Sequence, residues 1–124
     1  MELLAENDKA ILFLTDRMNL ISSLITTFQI NYSGEGLTID VHITLTHSID
    51  LPKVLLRFGG VTEYQFYWDS SHYFYNITFC KLFDNETGYY CSFDPFDESE
   101  QINDQDNDYI KAKAIQVYMD KGTA

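Results

Sequence analysis

The chain is poor in the residues that several common classes of protein require. Its 124 residues include two cysteines, two prolines and eight lysines and arginines, set against 19 aspartates and glutamates. Two cysteines are too few for a disulfide scaffold. A net charge of −11 excludes the broad basic face with which proteins bind nucleic acid or an anionic membrane.

Membrane and secretion signals are also missing. No apolar run approaches the roughly 20 residues of a membrane-spanning helix. The first nine residues contain Glu2, Glu6 and Asp8, whereas a secretory signal begins with basic residues and continues with a longer apolar stretch. We therefore expect a cytoplasmic protein that does not enter a membrane.

Apolar and aromatic residues, by contrast, are plentiful, at 45% and 15% of the chain. That composition supports one hydrophobic core, and no linker-like segment or internal repeat divides the sequence. We expect a single domain over residues 1–124. Within residues 1–20, apolar side chains recur near the 3.6-residue period of a helix, which predicts a helical N-terminal segment, with a strand over residues 10–15 as the alternative.

Residues 21–119 are dominated instead by β-branched side chains and by alternation of apolar and polar residues. The clearest example is residues 37–45, where strict alternation predicts a strand with one buried and one solvated face. Further strands are predicted at 24–31, 53–58, 61–69, 72–83, 88–93 and 111–119. Short strands without intervening helices are typical of an antiparallel β-sandwich or a barrel-like sheet. The predicted fold is therefore mainly β, with an N-terminal helix.

Two of these strands are expected to form a hairpin around residues 84–87. A four-residue loop there pairs Phe83 with Gly88 and sets Cys80 directly opposite Cys91. In a reducing compartment the two thiols would behave as small core residues, and a cross-strand disulfide is the alternative. Zinc would need more ligands than these two cysteines and the distant histidines supply.

Negative charge is concentrated in what we call the acidic loop, residues 94–108, which holds seven acids and no base. An EF-hand beginning at Asp104 would need Gly and Glu at its sixth and twelfth positions, where this chain has Tyr109 and Ile115. A looser calcium site is an alternative to a solvated loop. Its ligands would come from Asp94, Asp97, Glu98, Asp104 and Asp106. The sequence has no nucleophile elbow and no phosphate-binding glycine loop, which argues against an enzyme.

The aromatic residues are also concentrated, since 13 of the 19 lie between Tyr64 and Phe96. Alternation puts three of them on a face that is expected to pack in the core: Tyr64, Phe66 and Trp68. Three others are expected to be exposed: Tyr67, Tyr73 and Tyr75. Exposed tyrosines suit either a protein-binding surface or a platform on which sugars stack.

The stretches FGGVTEYQFYW, FYNITF, YYCSFDPFDE and DNDYIKAKAIQVY cover much of residues 55–119. In these stretches the chain resembles small bacterial immunity proteins of polymorphic toxin systems, including those of contact-dependent growth inhibition. The resemblance is a pattern of strands and acidic turns rather than a catalytic motif. It implies a cytoplasmic, non-enzymatic protein that binds and neutralises one secreted toxin domain.

The placement of charge suggests how such a protein would act. Many of these toxins are nucleases with basic clefts, and carboxylates on one loop can occupy such a cleft as nucleic-acid phosphates do. The predicted toxin-binding residues are the acids of the loop and two aromatic anchors: Asp94, Phe96, Asp97, Glu98, Glu100, Asp104, Asp106, Asp108 and Tyr109. No metal, cofactor or nucleic acid is expected to take part. The alternative is a small carbohydrate-binding β-sandwich that uses Tyr67, Trp68 and Tyr73.

Overall fold

The structure is a computed structural model that describes residues 2–17, 20, 23–45, 53–67, 69–70, 77 and 79–119. Within these residues the strands are β1 (Glu2–Glu6), β2 (Leu24–Ser33), β3 (Gly36–Thr44), β4 (Lys53–Gly59), β5 (Glu63–Gln65), β6 (Lys81–Asn85), β7 (Gly88–Asp94), β8 (Asn107–Ala112) and β9 (Ala114–Met119). A short helix, α1 (Asp8–Leu12), continues into a π-helical turn over Phe13–Arg17. The predicted mainly β fold with an N-terminal helix is confirmed.

The described strands form two antiparallel sheets rather than a closed barrel. The five-stranded sheet has the order β1-β9-β4-β3-β2, and the four-stranded sheet has the order β5-β8-β7-β6. The core lies between them. The five-stranded sheet contributes Ile39, Val41, Ile43, Val54, Leu56, Phe58, Ile115 and Val117, and the four-stranded sheet contributes Cys91, Phe93, Ile110 and Ala112. Since burying a large apolar side chain contributes about 1.5–3 kcal/mol, this sandwich interior is the main source of stability.

Two neighbouring segments of the chain pass from one sheet to the other at the same corner. β4 leads through Gly60 into β5, and β8 leads through Lys113 into β9. The Lys113 N–H donates to the carbonyl oxygens of Gly59 and Gly60, at 3.0 and 3.2 Å, so the two bends are bonded to each other. Gly60 has a φ of 60°, which glycine adopts without steric cost. The single strand predicted for residues 111–119 is therefore wrong, because it divides at Lys113 between the two sheets.

The N-terminal segment divides as well, into a strand and a helix. β1 pairs with β9 at the edge of the five-stranded sheet, and Asn7 follows it with a φ of 54°. The Asn7 N–H donates to the Ile115 carbonyl oxygen at 2.7 Å, and Asn7 Oδ1 accepts from the Ile115 N–H at 3.2 Å. These bonds fix the break between β1 and α1. The N-terminal helix is consequently five residues long, because residues 2–6 extend the sheet instead.

The hairpin between β6 and β7 is tighter than the sequence predicts. Asn85 pairs with Gly88, which leaves a turn of two residues, Glu86 and Thr87. Asn85 Oδ1 accepts from the backbone N–H and the hydroxyl of Thr87, at 2.9 and 2.8 Å. Such a side-chain bond to the backbone two residues on is typical of asparagine in turns. It stabilises the two-residue turn in place of the predicted four-residue loop.

This turn shifts the register of the two strands by two residues. Cys91 lies opposite Leu82, so the predicted pairing of Cys80 directly across from Cys91 is wrong. Neither cysteine is in a disulfide. Cys91 is fully buried in the core, as expected for a small apolar residue, and Cys80 is partly buried beside it.

The aromatic block differs from its prediction in two respects. β5 occupies only Glu63–Gln65 of the strand predicted for residues 61–69, and Tyr64 is 41% exposed rather than buried. Phe66 is half-buried and packs on Phe28, with ring centroids 4.2 Å apart. Tyr67 is exposed, as expected. Trp68, Tyr73, Tyr75 and half of the strand predicted for 72–83 lie outside the described residues.

The register of β7 against β8 predicts a large effect of a small substitution. Gly88 has a φ of 139°, and a Cβ at this position would clash with the Ala112 carbonyl oxygen on β8. We expect Gly88→Ala to lower the free energy of unfolding, measured by urea denaturation, by about 2–4 kcal/mol. The control is Gly34→Ala in the β2–β3 turn, where a Cβ meets no atom within 4 Å. It should change the same quantity by less than about 0.5 kcal/mol, and equal effects of the two substitutions would contradict this register.

Candidate functional site

The acidic loop connects β7 to β8, and its buried part packs on the outer face of the four-stranded sheet. Lys81 and Tyr90 point to that outer face, because Cys91, next to Tyr90 on β7, points into the core. Tyr90 is nevertheless only 1% exposed. It is covered by Asp106 from the loop, to which its hydroxyl is bonded, and by Tyr109, whose ring stacks with a centroid separation of 5.9 Å. Loop and sheet thus enclose a second, partly polar region of packing outside the main core.

The carboxylate of Asp106 organises this region. Its oxygens accept hydrogen bonds from the Tyr90 hydroxyl at 2.7 Å, the Phe96 N–H at 2.8 Å and the Asn103 N–H at 3.0 Å. Each oxygen also accepts from Lys81 Nζ at 3.0 Å. The Asp106 side chain is 0% exposed. A buried carboxylate is costly unless it is both paired with a cation and hydrogen-bonded, and these five bonds meet both needs.

Lys81 supplies the cation, and its side chain is 2% exposed. Besides Asp106, its ammonium group donates to the Gln101 carbonyl oxygen at 2.8 Å and lies 2.7 Å from Asp97 Oδ1. The three N–H donors of the ammonium therefore have acceptors. We call Lys81, Tyr90, Asp97 and Asp106 the Asp106 cluster.

The contacts within the Asp106 cluster favour the ionised forms of Lys81, Asp97 and Asp106. Burial acts to raise the pKa of Asp106, but hydrogen bonds from Tyr90, the loop backbone and Lys81 outweigh it and leave that pKa below its ordinary value. Burial likewise acts to lower the pKa of Lys81, and the bonds to Asp97 and Asp106 reverse that shift. The bonds from Lys81 and Ser99 lower the pKa of Asp97 to about 2. Burial and the bond to Asp106 raise the pKa of the Tyr90 hydroxyl, so it remains a donor at neutral pH.

Local turns shape the loop between these anchors. Asp97 Oδ1 accepts from the backbone N–H and hydroxyl of Ser99, at 3.2 and 2.8 Å. Asn103 Oδ1 accepts from the Gln105 N–H at 2.8 Å. Both are bonds from a side chain to the backbone two residues on, which fold a chain into turns without a sheet partner. The loop therefore has a defined path that returns to Asp106.

Six of the nine predicted toxin-binding residues present side chains on the outside of this loop. Phe96 is 60% exposed, and the Asp97 side chain is 41% exposed although it also pairs with Lys81. Ile102, which the sequence did not single out, is 44% exposed. We call these outward residues the loop surface: Asp94, Phe96, Asp97, Glu98, Glu100, Ile102 and Asp104.

Asp106 and Asp108 point inward instead. Asp108 is 3% exposed, and its Oδ1 accepts from the Tyr67 N–H at 2.9 Å. Its own N–H donates to Gln65 Oε1 at 3.1 Å. The two carboxylates are therefore internal acceptors, and their burial takes them out of the surface that a partner can touch.

Tyr109 lies at the boundary of the loop surface. It is half-buried, its ring stacks on Tyr90, and its hydroxyl donates to Glu63. Lys111 Nζ lies 5.7 Å from the centroid of the Tyr109 ring. These contacts fix Tyr109 against the sheet, so Phe96 is the aromatic residue that the loop leaves exposed.

Lys81 and Tyr90 are the residues of this site that sequence reasoning missed. One signal was present, because Lys81 is the only lysine or arginine between Arg57 and Lys111. A lone cation in a strongly acidic half of the chain can be expected to pair with a carboxylate. The sequence does not say which carboxylate, since the bonded partner, Asp106, lies 25 residues away.

Neither a metal site nor a membrane-spanning helix occurs in the part of the chain that the structure describes. No group of three or more His, Cys, Asp or Glu side chains there is arranged to hold a metal ion. Asp106, one of the alternative calcium ligands, is bonded to Lys81 instead. No helix among the same residues is long and apolar enough to cross a bilayer.

Comparison with known proteins assigns no function to this chain. No family model, no curated protein and no solved structure matches this chain. The functional conclusion therefore depends on the shape, charge and exposure of the loop surface.

The Asp106 cluster predicts a strong difference between two acids of the same loop. Asp106→Asn removes the buried negative charge and leaves the Lys81 ammonium poorly compensated. We expect it to lower the free energy of unfolding by about 3–5 kcal/mol, measured by urea denaturation. Asp104→Asn is the matched control, because Asp104 is exposed, and it should change the same quantity by less than about 0.5 kcal/mol. A small effect at Asp106 would show that the cluster does not hold the loop.

The direction of the pKa shifts predicts how this difference depends on pH. The pKa values of Asp97 and Asp106 are lower in the folded chain than the value near 3.9 of an unfolded aspartate. Their stabilising effect is therefore complete above about pH 5 and is lost as the pH falls through the folded pKa values. We expect the difference in unfolding free energy between wild type and Asp106→Asn to shrink below about pH 4. A difference that stays constant down to pH values near 2 would contradict the lowered pKa of Asp106.

Proposed function

We propose that this protein is an immunity protein that binds and neutralises a cognate toxin domain, a nuclease, in the cytoplasm. The observation that carries this proposal is the loop surface, where five carboxylates and two exposed apolar side chains lie on a loop fixed by the Asp106 cluster. The resemblance of residues 55–119 to such immunity proteins supports the same function. In this proposal the protein acts by binding alone and carries out no reaction.

The charge of the loop surface suits the active site of a nuclease. A cleft that binds nucleic acid is lined with lysine and arginine, which attract carboxylates as they attract phosphates. Each carboxylate of the loop surface except Asp97 is free of an ion pair with the residues described here. Complementary charge raises the rate of encounter toward 10⁸ M⁻¹s⁻¹ or more at low ionic strength, compared with about 10⁵–10⁶ M⁻¹s⁻¹ for neutral partners.

Two apolar side chains give the loop surface a second kind of contact. Phe96 and Ile102 are 60% and 44% exposed on a loop that is otherwise acidic. Aromatic side chains are enriched at the centres of protein interfaces, where they fill pockets from which water is excluded. We therefore place Phe96 as the anchor that slows dissociation, with the carboxylates around it speeding association.

The Asp106 cluster matters to binding because it fixes the loop before the partner arrives. Ordering a flexible loop costs about 0.5–1.5 kcal/mol for each immobilised side chain, and that cost weakens binding. Here the Phe96 N–H is already bonded to Asp106 at 2.8 Å, and Asp97 is held by Lys81 at 2.7 Å. The backbone at the anchor and the carboxylate next to it are thus held in place before the partner binds.

Carbohydrate binding is the second candidate function, and one observation favours it. Tyr67 is 61% exposed, and its hydroxyl donates to Asp69 Oδ2 at 2.6 Å. An aromatic face next to a carboxylate is suited to stacking and hydrogen-bonding a sugar ring. The loop surface would then play no part, and a titration with oligosaccharides followed by the fluorescence of Trp68 would show saturable binding.

The test of the immunity function begins with the DNA upstream of the gene, where we expect a long reading frame that ends in a small basic domain. Binding of that domain is then measured by surface plasmon resonance. The triple variant Glu98→Gln/Glu100→Gln/Asp104→Asn should lower the association rate constant about tenfold at low ionic strength. Phe96→Ala should instead raise the dissociation rate constant about tenfold or more.

The control has the same change in charge at other exposed sites: Glu2→Gln/Glu35→Gln/Glu86→Gln. It should leave the dissociation rate constant unchanged and affect association much less than the loop variant does. Equal effects of the two triple variants would show that total charge, rather than the loop surface, directs binding. Unchanged affinity in both the loop variant and Phe96→Ala would overturn the proposal.

A further inference from the structure

A polar pocket lies on the side of the sandwich opposite the acidic loop. It encloses about 270 Å³ at one end of the five-stranded sheet and is lined by Thr26, Thr27, His42, Ile43, Thr44 and Lys53. These residues come from β2, β3 and β4, three adjacent strands. The proposed toxin inhibitor makes no use of this pocket.

An irregularity in β2 accounts for the position of the pocket. The pairing of β2 with β3 passes from Ile25–Ile43 directly to Thr27–His42, so Thr26 is an extra residue in β2. Such a bulge bends its strand and re-aims the neighbouring side chains, and bulges are common next to binding sites. Thr26 Oγ1 donates to the His42 carbonyl oxygen at 3.3 Å, which fastens the bulge to β3.

The strand register brings the polar side chains of the pocket together on the outer face of the sheet. Thr27 lies directly opposite His42, and Thr44 lies directly opposite Lys53. His42 and Thr44 are two residues apart on β3, so both project from the same face. The two pairs therefore form adjacent rows, with the Lys53 ammonium at one end.

Three hydrogen-bond donors in these rows are not used within the described part of the chain. Lys53 forms no ion pair there, and the hydroxyls of Thr27 and Thr44 make no hydrogen bond there. The other cations on the two sheets are mostly engaged, since Arg57 pairs with Asp40 and Lys81 with Asp106. Lys53 is thus a cation left facing solvent beside two hydroxyl groups.

Among the described residues, the charge around the pocket permits an anion despite the net charge of −11. Asp40, on the same face two residues before His42, is held by Arg57 through two bonds of 2.9 and 3.1 Å, so its charge is balanced. The acidic loop packs on the opposite face of the sandwich. Sheets pack about 10 Å apart, and charges separated by more than about 8 Å are largely screened at physiological ionic strength.

We infer that this pocket is a second binding site, which takes the phosphate group of a small molecule. One ammonium and two hydroxyls from adjacent strands can donate to three oxygens of a tetrahedral anion, whereas a carboxylate offers only two. The volume holds a phosphate with a small organic group attached. The pocket shares no residue with the loop surface, so this inference does not rest on the proposed function.

The test is a titration of the ¹⁵N-labelled protein with inorganic phosphate, followed by amide chemical shifts. We expect saturable shifts at Thr26, Thr27, Thr44 and Lys53, with a dissociation constant on the order of 1–10 mM for the bare anion. Acetate at the same ionic strength should bind at least about tenfold more weakly. Shifts that do not saturate, or that acetate reproduces at equal concentration, would overturn the inference.

Variants identify the donors. Lys53→Met should weaken phosphate binding about tenfold, and Thr44→Val should weaken it about fivefold, because each removes one donor and keeps the shape of the side chain. The control is Lys113→Met, an exposed lysine at the corner between β8 and β9, which should leave binding unchanged. Equal loss in Lys113→Met and Lys53→Met would also overturn the inference, since it would show that any surface cation contributes alike.

Discussion

The buried contact between Asp106 and Lys81 determines what the acidic half of this molecule can do. An isolated carboxylate in that position would be unstable, and so would an isolated ammonium group. Three of their bonds tie the loop to the sheet, two from Lys81 to Asp106 and one from Lys81 to Gln101. Two more, from the amides of Phe96 and Asn103 to Asp106, fold the loop on itself. A loop with seven acids and no base would otherwise be extended by its own repulsion. The buried Lys81 ammonium makes a folded loop compatible with that charge.

The sandwich positions this contact through its pattern of alternation. β7 directs Cys91 into the core and Tyr90 to the outer face, where Tyr90 meets Asp106. The tight turn at residues 86–87 sets β6 in register, and Lys81 thereby lies opposite Ser92 on the same outer face as Tyr90. A shift of the hairpin by one residue would turn Lys81 toward the apolar core. The register of one hairpin is thus a condition for the shape of the loop surface.

The sequence was informative where structure is local and uninformative where it depends on distant contacts. The strict alternation of residues 37–45 identified β3 and its buried residues, because successive side chains of a strand point to opposite faces and the apolar ones therefore mark the buried face. The corner at Lys113 was not predicted. The core-facing residues change there from Ile110 and Ala112 to Ile115 and Val117, and the bonds to Gly59 and Gly60 show that this change is a bend between sheets. The acids of the loop were found as a group, but which of them are buried depends on Lys81 and Tyr90. Charge counting cannot distinguish Asp104 from Asp106, although one is exposed and the other is completely enclosed.

The two outer faces of the sandwich differ in which charged side chains are paired and which remain exposed. On the four-stranded sheet an excess of acids is partly neutralised from within, so the remaining carboxylates point outward around Phe96. On the five-stranded sheet Asp40 is paired with Arg57, and Arg57 in turn lies 5.1 Å from the centroid of the Tyr118 ring. Lys53 is left as a cation that forms no ion pair among the described residues. The two proposed sites therefore suit opposite ligands, because the exposed carboxylates around Phe96 would attract a positively charged partner and the Lys53 ammonium would attract a small anion.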